Sequence, residues 1–168
     1  SVAGFGIDTT PPTTTAAVNG PQMNGWYTAD PTVVLSASDA LSGVVATVSQ
    51  IDSGSVLPYS DPFVVTGDVV HIVRYRSVDG AGNISSSYGQ TSVSIDTLPP
   101  EVDLLPSGSA GLNNWYASAV SVELDAYDAG SGIVTREVRI DGGAWTAYTT
   151  PIEVSSDGTH TVEGRATD

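Results

Sequence analysis

The chain has 168 residues, with nineteen acidic residues, five arginines and no lysine, for a formal net charge of −14. A field of this sign repels nucleic-acid phosphates and anionic lipid headgroups, and no apolar run approaches the roughly 20 residues that span a bilayer. We therefore expect neither nucleic-acid binding nor membrane insertion. The absence of cysteine excludes disulfides, thiolate metal sites and cysteine nucleophiles. The abundance of Ser, Thr, Gly and Val predicts an extracellular or cell-surface β-protein.

Much of the sequence occurs twice. Residues 7–12 return as residues 95–100, and Trp26 returns as Trp115. From Trp26 onward the two copies stay aligned without a gap, at a spacing of 89 residues (115 minus 26). A period of this length indicates tandem copies of one folding unit. The predicted boundaries are 1–8 for a terminal strand segment and linker, 9–96 for module 1 and 97–168 for module 2.

Short alternating segments separated by turn residues predict β-strands and no helix. In the second copy Val122, Leu124 and Ala126 alternate with Glu123 and Asp125, which predicts one buried and one solvated face. Seven strands at this spacing predict an all-β chain of two tandem immunoglobulin-like Greek-key β-sandwiches. The strands predicted in the first copy are residues 13–19, 32–38, 44–51, 56–59, 62–66, 70–78 and 84–95.

The last strand of the first copy has no counterpart in the second. Residues 80–95 continue the first copy, whereas the second copy stops at Asp168, so we expect the second sandwich to lack its own last strand. An open sandwich of this kind would expose an unpaired strand edge and an uncovered core. Residues 1–8 match residues 89–96, the end of the strand that is missing.

This match predicts an assembly strand near the amino terminus. Phe5 takes the place of Val93, and Ile7 takes the place of Ile95. We expect Val2, Phe5 and Ile7 to supply apolar side chains to another unit by strand addition. The alternative interpretation, which the sequence leaves open, is that the chain is a window of a longer tandem array. Under both interpretations the partners are other copies of the chain or adjacent repeats.

Several short motifs carry a resemblance to a known family. The motifs are Asn113-Asn114-Trp115-Tyr116, Ile140-Asp141-Gly142-Gly143-Ala144-Trp145, Asp157-Gly158-Thr159-His160-Thr161-Val162 and, in the first copy, Asp79-Gly80-Ala81-Gly82-Asn83. Together they resemble the tandem bacterial Ig-like, fibronectin-III-like repeats of cell-surface proteins and secreted polysaccharide hydrolases. The first copy departs where Val56 replaces the tryptophan. The resemblance implies an Ig-like fold and a spacer or adhesive stalk, without a common active site.

The residues offer little for catalysis. His71 and His160 occupy the same position in the two copies, and a repeated position argues against a one-off Ser-His-Asp triad. Paired carboxylates for glycoside hydrolysis need a cleft, whereas the acids of this chain lie in predicted turns. We therefore predict no enzymatic activity and no required cofactor.

Acidic and amide side chains gather in loops predicted to lie at one end of each module. They are Asp8, Asp39, Asp79 and Asn83 in the first set, and Asp96, Asp128 and Asp168 in the second. Calcium prefers six to eight oxygen ligands of this type, which makes it the candidate metal. The other interpretation is that these residues form turns by bonding their own backbone. The sequence leaves both open.

Trp145 and Tyr148 are candidates for glycan contact. Trp145 occurs in one copy only and lies beside a predicted hairpin, where an exposed ring could stack on a sugar. The primary hypothesis is a non-catalytic structural module of a bacterial extracellular polymer or cell-surface protein, a stalk or filament subunit joined head to tail. The alternative is an accessory carbohydrate-binding or spacer module of a secreted glycoside hydrolase.

Overall fold

The computed structural model describes all 168 residues and contains β-strands and irregular segments only. No helix that could cross a membrane is present. The chain divides into two compact units, Ser1–Thr97 (unit 1) and Leu98–Asp168 (unit 2). Each unit is built from small antiparallel sheets, so the predicted all-β, sandwich-like class is confirmed.

Unit 1 contains nine strands in two main sheets. The strands are β1 (Thr13–Asn19), β2 (Gln22–Met23), β3 (Trp26–Tyr27), β4 (Thr32–Ser38), β5 (Val44–Ile51), β6 (Leu57–Pro58), β7 (Phe63–Val64), β8 (Val70–Asp79) and β9 (Gly89–Ser94). One sheet has the order β1-β4-β7 and the other the order β6-β5-β8-β9, while β2 and β3 form a separate hairpin. The last strand, β9, pairs with β8 at the edge of the larger sheet.

Most strands of unit 1 lie where the alternation predicts them, and β1, β4 and β5 have the predicted bounds. The last strand is shorter than predicted, because Ile84 makes only an isolated bridge to Val78 and regular pairing begins at Gly89. The β2–β3 hairpin was not predicted, since two-residue strands show no periodicity. Its turn residues Asn24 and Gly25 have φ angles of 50° and 88°, as a tight type I′ turn requires.

Unit 2 contains six strands. They are β10 (Glu101–Ser107), β11 (Val120–Tyr127), β12 (Thr135–Ile140), β13 (Thr146–Ala147), β14 (Ile152–Val154) and β15 (Val162–Thr167). The sheets have the orders β10-β11-β14 and β13-β12-β15. Strand β15 therefore pairs on one side only, with β12, whereas its counterpart β8 pairs with both β5 and β9.

The two cores differ in size for the same reason. Eight buried side chains form the core of unit 1, and two of them, Val93 and Ile95, lie in β9 or directly after it and are 0% exposed. In unit 2 the buried cluster contains only Leu124, Ala126 and Val138. The side chains that close the core of unit 1 have no counterpart in unit 2.

Unit 2 also fills its interior with different side chains. Gly164 occupies the place of Tyr75, and Leu104 occupies the place of Ala16. A Cβ atom at Gly164 would lie 2.7 Å from Leu124 Cδ1 and 3.1 Å from Leu104 Cδ2. The two leucines therefore take up volume next to the position that the tyrosine ring holds in unit 1.

We expect Leu124→Ala to lower the free energy of unfolding by about 2–5 kcal/mol, through lost transfer energy and a residual cavity. Leu124 is 4% exposed, as the alternation of β11 predicts. The matched control is Glu123→Ala, one residue away on the exposed face, which we expect to change stability by less than about 0.5 kcal/mol. Chemical denaturation measures both changes, and equal effects would show that the assigned faces of β11 are wrong.

Candidate functional site

A groove of about 1030 Å³ opens beside the start of β15 in unit 2. Apolar side chains from four strands line it: Leu104 of β10, Val122 of β11, Val154 of β14 and Val162 of β15. The loops 114–117 and 155–160 also line the groove. A groove of mixed apolar and polar lining beside an unpaired strand edge offers both apolar surface and backbone hydrogen-bonding groups to an extended peptide.

The same position in unit 1 is occupied by β9. There Val93 lies opposite His71 and Thr91 lies opposite Val73. The counterparts of His71 and Val73 in unit 2 are His160 and Val162, and both line the groove. The groove is therefore the place that β9 holds in the repeated fold.

The predicted assembly strand at residues 1–7 forms no regular secondary structure. Its apolar side chains are exposed, with Val2 at 100%, Phe5 at 85% and Ile7 at 73%. Exposing three large apolar side chains within seven residues is unfavourable, since each forfeits roughly 1.5–3 kcal/mol of burial energy. This segment is the most exposed apolar stretch of unit 1.

The acidic residues of the first set come together as predicted. Carboxylate oxygens of Asp8, Asp39 and Asp79 all lie within 4.8 Å of one another. In unit 2 the carboxylate oxygens of Asp128 and Asp168 approach within the same distance. Asp96, the third member of the second set, is a buried residue that directly precedes the last residue of unit 1.

These side chains hold turns. Asp39 Oδ1 accepts hydrogen bonds from the Leu41 and Gly43 amides, at 3.0 and 2.9 Å. The other loop aspartates repeat this pattern. Asp79 Oδ1 accepts from the amides of residues 81 and 83, and Asp128 Oδ1 accepts from those of residues 130 and 132. The turn-forming interpretation is thus confirmed for Asp39, Asp79 and Asp128.

The first cluster also has the chemistry of a calcium site. None of the four ion pairs of the chain involves Asp8, Asp39 or Asp79. Hydrogen bonds from Ser42, and next from the Thr10 amide, lower the pKa of Asp8, so this carboxyl group stays charged. The amide nitrogen of Asn83 donates hydrogen bonds to Asp79 Oδ2 at 2.8 Å and to the Asp8 carbonyl oxygen at 3.1 Å, so Asn83 links the two aspartates through its amide group. Calcium binding by this set stays a prediction.

A His–Asp pair occurs at the same position in each unit. His71 Nδ1 lies 2.8 Å from Asp52 Oδ2, and its Nε2 lies 3.2 Å from the Gly67 carbonyl oxygen. His160 makes the same contact with Asp141, at 2.7 Å. The hydrogen bond to the aspartate is the main cause that raises the pKa of each histidine. Both ring nitrogens face acceptors, which favours the doubly protonated ring.

In unit 2 a serine completes a Ser-His-Asp arrangement that sequence analysis did not find. Ser156 Oγ lies 3.0 Å from His160 Nε2. The same Nε2 lies 3.1 Å from the Ser156 carbonyl oxygen, which can only accept, so this nitrogen donates a proton and cannot take one from the hydroxyl. Unit 1 keeps the pair with glycine in place of the serine. We assign the arrangement to loop fixation.

Trp145 lies under two arginines. The guanidinium carbons of Arg139 and Arg165 are 4.7 and 4.3 Å from its ring centroid. Cross-strand ion pairs with Glu163 and Glu137 hold these arginines in place. A sugar that stacked on the same ring surface would have to displace a guanidinium group.

Tyr148, the second aromatic residue considered for glycan contact, is half-buried and packs against the core cluster around Leu124. Its amide donates a hydrogen bond to the Arg136 carbonyl oxygen at 2.9 Å. Its counterpart Tyr59 packs on the core of unit 1 in the same way. A packing role therefore accounts for this position in both units.

Calcium in millimolar excess is expected to raise the Tm of the chain, since an ion bound only by the folded state stabilises it by mass action. Asp39→Asn should remove this increment, because the amide oxygen can still hold the turn while one negative charge is lost. Asp103→Asn, an exposed acid outside both clusters, is the matched control. If calcium leaves the Tm unchanged, the calcium prediction is wrong and the cluster has only its turn-forming role.

The Tm should fall as the pH rises from about 6 to about 8. The folded pKa of each histidine is raised above the ordinary value of 6.5, so the stability it contributes is complete below that value and is lost as the pH passes the folded pKa. The double variant His71→Gln/His160→Gln should have a flat profile over this range. Calorimetry at several pH values tests this, and parallel profiles for the two proteins would contradict it.

No protein-family model, no curated protein and no solved structure matches this chain. The groove, the acidic clusters and the His–Asp pairs are therefore the features from which a function can be inferred. Of these, the clusters and the pairs have counterparts at the same positions in unit 1 and unit 2, whereas the groove distinguishes the units.

Proposed function

We propose that the chain is a non-catalytic structural module of a bacterial extracellular polymer or cell-surface protein, a stalk or filament subunit joined head to tail. In this proposal a last strand occupies the groove of unit 2, supplied either by an adjacent repeat of a longer array or by another copy of the chain. The inserted strand links unit 2 to the neighbouring unit that supplies it. The mechanical connection is then part of a folded core rather than a surface contact.

The sheet orders support an immunoglobulin-like Greek-key fold for both units. In unit 1 the orders β1-β4-β7 and β6-β5-β8-β9 correspond to two facing sheets of a seven-strand sandwich. Unit 2 has the same orders except for the last strand. Modules of this type are suited to serial arrays, because each has its own core and needs only short connections.

One observation carries the proposal: β9 closes unit 1, and the equivalent position in unit 2 is a groove lined partly by apolar side chains. In unit 1 the strand buries Val93 and Ile95 completely and pairs with six residues of β8. Without it, Tyr116 is 42% exposed, whereas its counterpart Tyr27 is 7% exposed. An added strand would cover this surface and satisfy the open edge of β15 at once.

Composition supports the proposed location and the absence of catalysis. A charge of −14 without lysine keeps long assemblies soluble and mutually repelling along their sides. The histidines hold loops, and the acidic residues hold turns, as their hydrogen bonds indicate. These polar groups therefore have structural roles that need no substrate.

The test extends the chain by a linker and a second copy of residues 80–95 after Asp168, so that unit 2 receives a strand from its own chain. We expect a higher Tm for unit 2, because the added strand buries two further apolar side chains and completes the sheet. The matched control carries Asp in place of both Val93 and Ile95 within the added copy. An extended chain no more stable than this control would contradict the proposal.

A further inference from the structure

We infer that this chain binds a second copy of itself through two sheet faces of opposite charge, one on unit 1 and the other on unit 2. Because the two faces differ, the contact is heterologous and can repeat from copy to copy. The contact is separate from the last-strand position, so the inference goes beyond the proposed head-to-tail joining and does not depend on it.

The first surface, called the arginine face, is the solvent-facing side of the sheet β6-β5-β8-β9 in unit 1. Along β8 the buried residues Val73 and Tyr75 alternate with Arg74 and Arg76, which are half-buried and point away from the core. None of the residues that lie directly opposite the two arginines is acidic, and these residues are Val48, Gln50 and Gln90.

The two arginines take part in none of the four ion pairs of the chain. Arg74 donates a hydrogen bond to the Asp52 carbonyl oxygen at 2.8 Å, whereas the Asp52 carboxylate is bonded by His71. The guanidinium carbon of Arg76 lies 4.5 Å from the ring centroid of Tyr88. Stacking of this kind uses the face of the guanidinium and leaves its N–H edges free to donate to a carboxylate.

The repeat shows that the fold can neutralise charge at these positions. In unit 2 the counterpart of Arg76 is Arg165, which pairs with Glu137 on the neighbouring strand at 2.7 Å. Unit 1 has Val48 in place of that glutamate. The same framework therefore accommodates an acidic partner that unit 1 does not provide.

The second surface, called the acidic face, is the solvent-facing side of the sheet β10-β11-β14 in unit 2. These three strands contain no basic residue, and their five exposed acidic residues belong to none of the ion pairs. The five are Glu101, Asp103, Glu123, Asp125 and Glu153. Asp103 and Asp125 lie directly opposite each other, and like charges in this arrangement destabilise a sheet.

The fold itself does not require these carboxylates. In unit 1, Thr15 and Ser36 occupy the positions of Asp103 and Asp125, so that face is free of the repulsion. Unit 2 therefore carries an unfavourable interaction that the same framework avoids in unit 1. Cationic groups docked between the carboxylates would relieve it, and the arginine face supplies such groups.

The two faces match in spacing as well as in charge. Residues two apart on a strand point to the same side at a distance of about 7 Å, so Arg74 and Arg76 have the same separation as Glu123 and Asp125. Exposed apolar side chains flank the charges on both faces, and they are Pro58 on the first and Leu105 and Tyr127 on the second. The contact thus combines ion pairs with apolar surface, as protein interfaces do.

The negative charge of the rest of the chain restricts which faces can meet. With nineteen acidic residues and five arginines, most other contacts between two copies bring like charges together. Three arginines have no ion pair (five minus Arg139 and Arg165), and two of these three lie on the arginine face. The third, Arg136, is exposed on β12 of unit 2, outside both faces.

We expect Arg76→Gln to weaken self-association about tenfold in sedimentation equilibrium at low ionic strength. The matched control, Arg136→Gln, removes the same charge outside both faces and should leave the association unchanged. Salt at about 1 M should dissociate this contact, because it shortens the Debye length to about 3 Å, whereas joining through an inserted apolar strand would persist. A parent chain that is monomeric at millimolar concentration and low salt, or equal effects of the two substitutions, would overturn the inference.

Charge reversal tests whether these two faces meet each other. One variant carries Arg74→Glu and Arg76→Glu, and the other carries Glu123→Arg and Asp125→Arg. Each alone should lose the contact, and a mixture should form heterodimers, because the arginine face of the second variant meets the acidic face of the first. Both variants stay negative, at −18 and −10 (−14 minus 4 and −14 plus 4), so net charge cannot produce this pairing. A mixture that stays monomeric would overturn the inference.

Two controls complete the test. Both reversed variants should keep the Tm of the parent chain, since the changed side chains lie outside the cores; if either fails to fold, Arg76→Gln and Asp125→Asn replace them and should each weaken self-association. An anionic polysaccharide is the other ligand that the arginine face suits. If a parent chain that does not self-associate is retarded in a gel containing polygalacturonate, and Arg76→Gln is not, the face binds glycan and the inference is overturned.

Discussion

The pairing of the last strand, β9, with β8 is the interaction on which the organisation of unit 1 depends. In unit 1 that strand brings Val93 and Ile95 into the core and pairs its backbone with the edge of β8. A strand edge and an apolar surface are each costly to leave uncovered, and one inserted peptide covers both. The largest difference between the two units is therefore this strand, and the groove of unit 2 lies where the strand lies in unit 1.

The polar features of the chain serve to keep this framework in shape. Asp52 and Asp141 each receive a histidine and a backbone amide, which fixes the loops that flank the last-strand position. In unit 2 one of these loops forms a wall of the groove, so His160 helps to fix the shape of that wall. Because the pKa of each histidine is raised by its aspartate, the stability of these loops depends on pH.

The aspartates of the acidic clusters can form turns and ligate calcium at the same time. The Asp39 carboxylate holds its turn with one oxygen, and the geometry brings it next to Asp8 and Asp79. A turn-forming aspartate accepts backbone hydrogen bonds whether or not a cation is near. The turn role and calcium ligation are therefore compatible. The response of the Tm to calcium shows whether the aspartates have the second role as well as the first.

The sequence by itself determined the repeat, most of the strands and their buried faces, because spacing and alternation are local properties of the chain. It also located Asp8, Asp39 and Asp79 in loops that meet. Only the tertiary structure decided what depends on side chains from distant strands. Ser156 meets His160, and Trp145 lies under two arginines, through contacts that no local pattern encodes. The unpaired edge of β15 was expected from the repeat, whereas the groove beside it is lined by side chains from four strands that only the tertiary structure brings together.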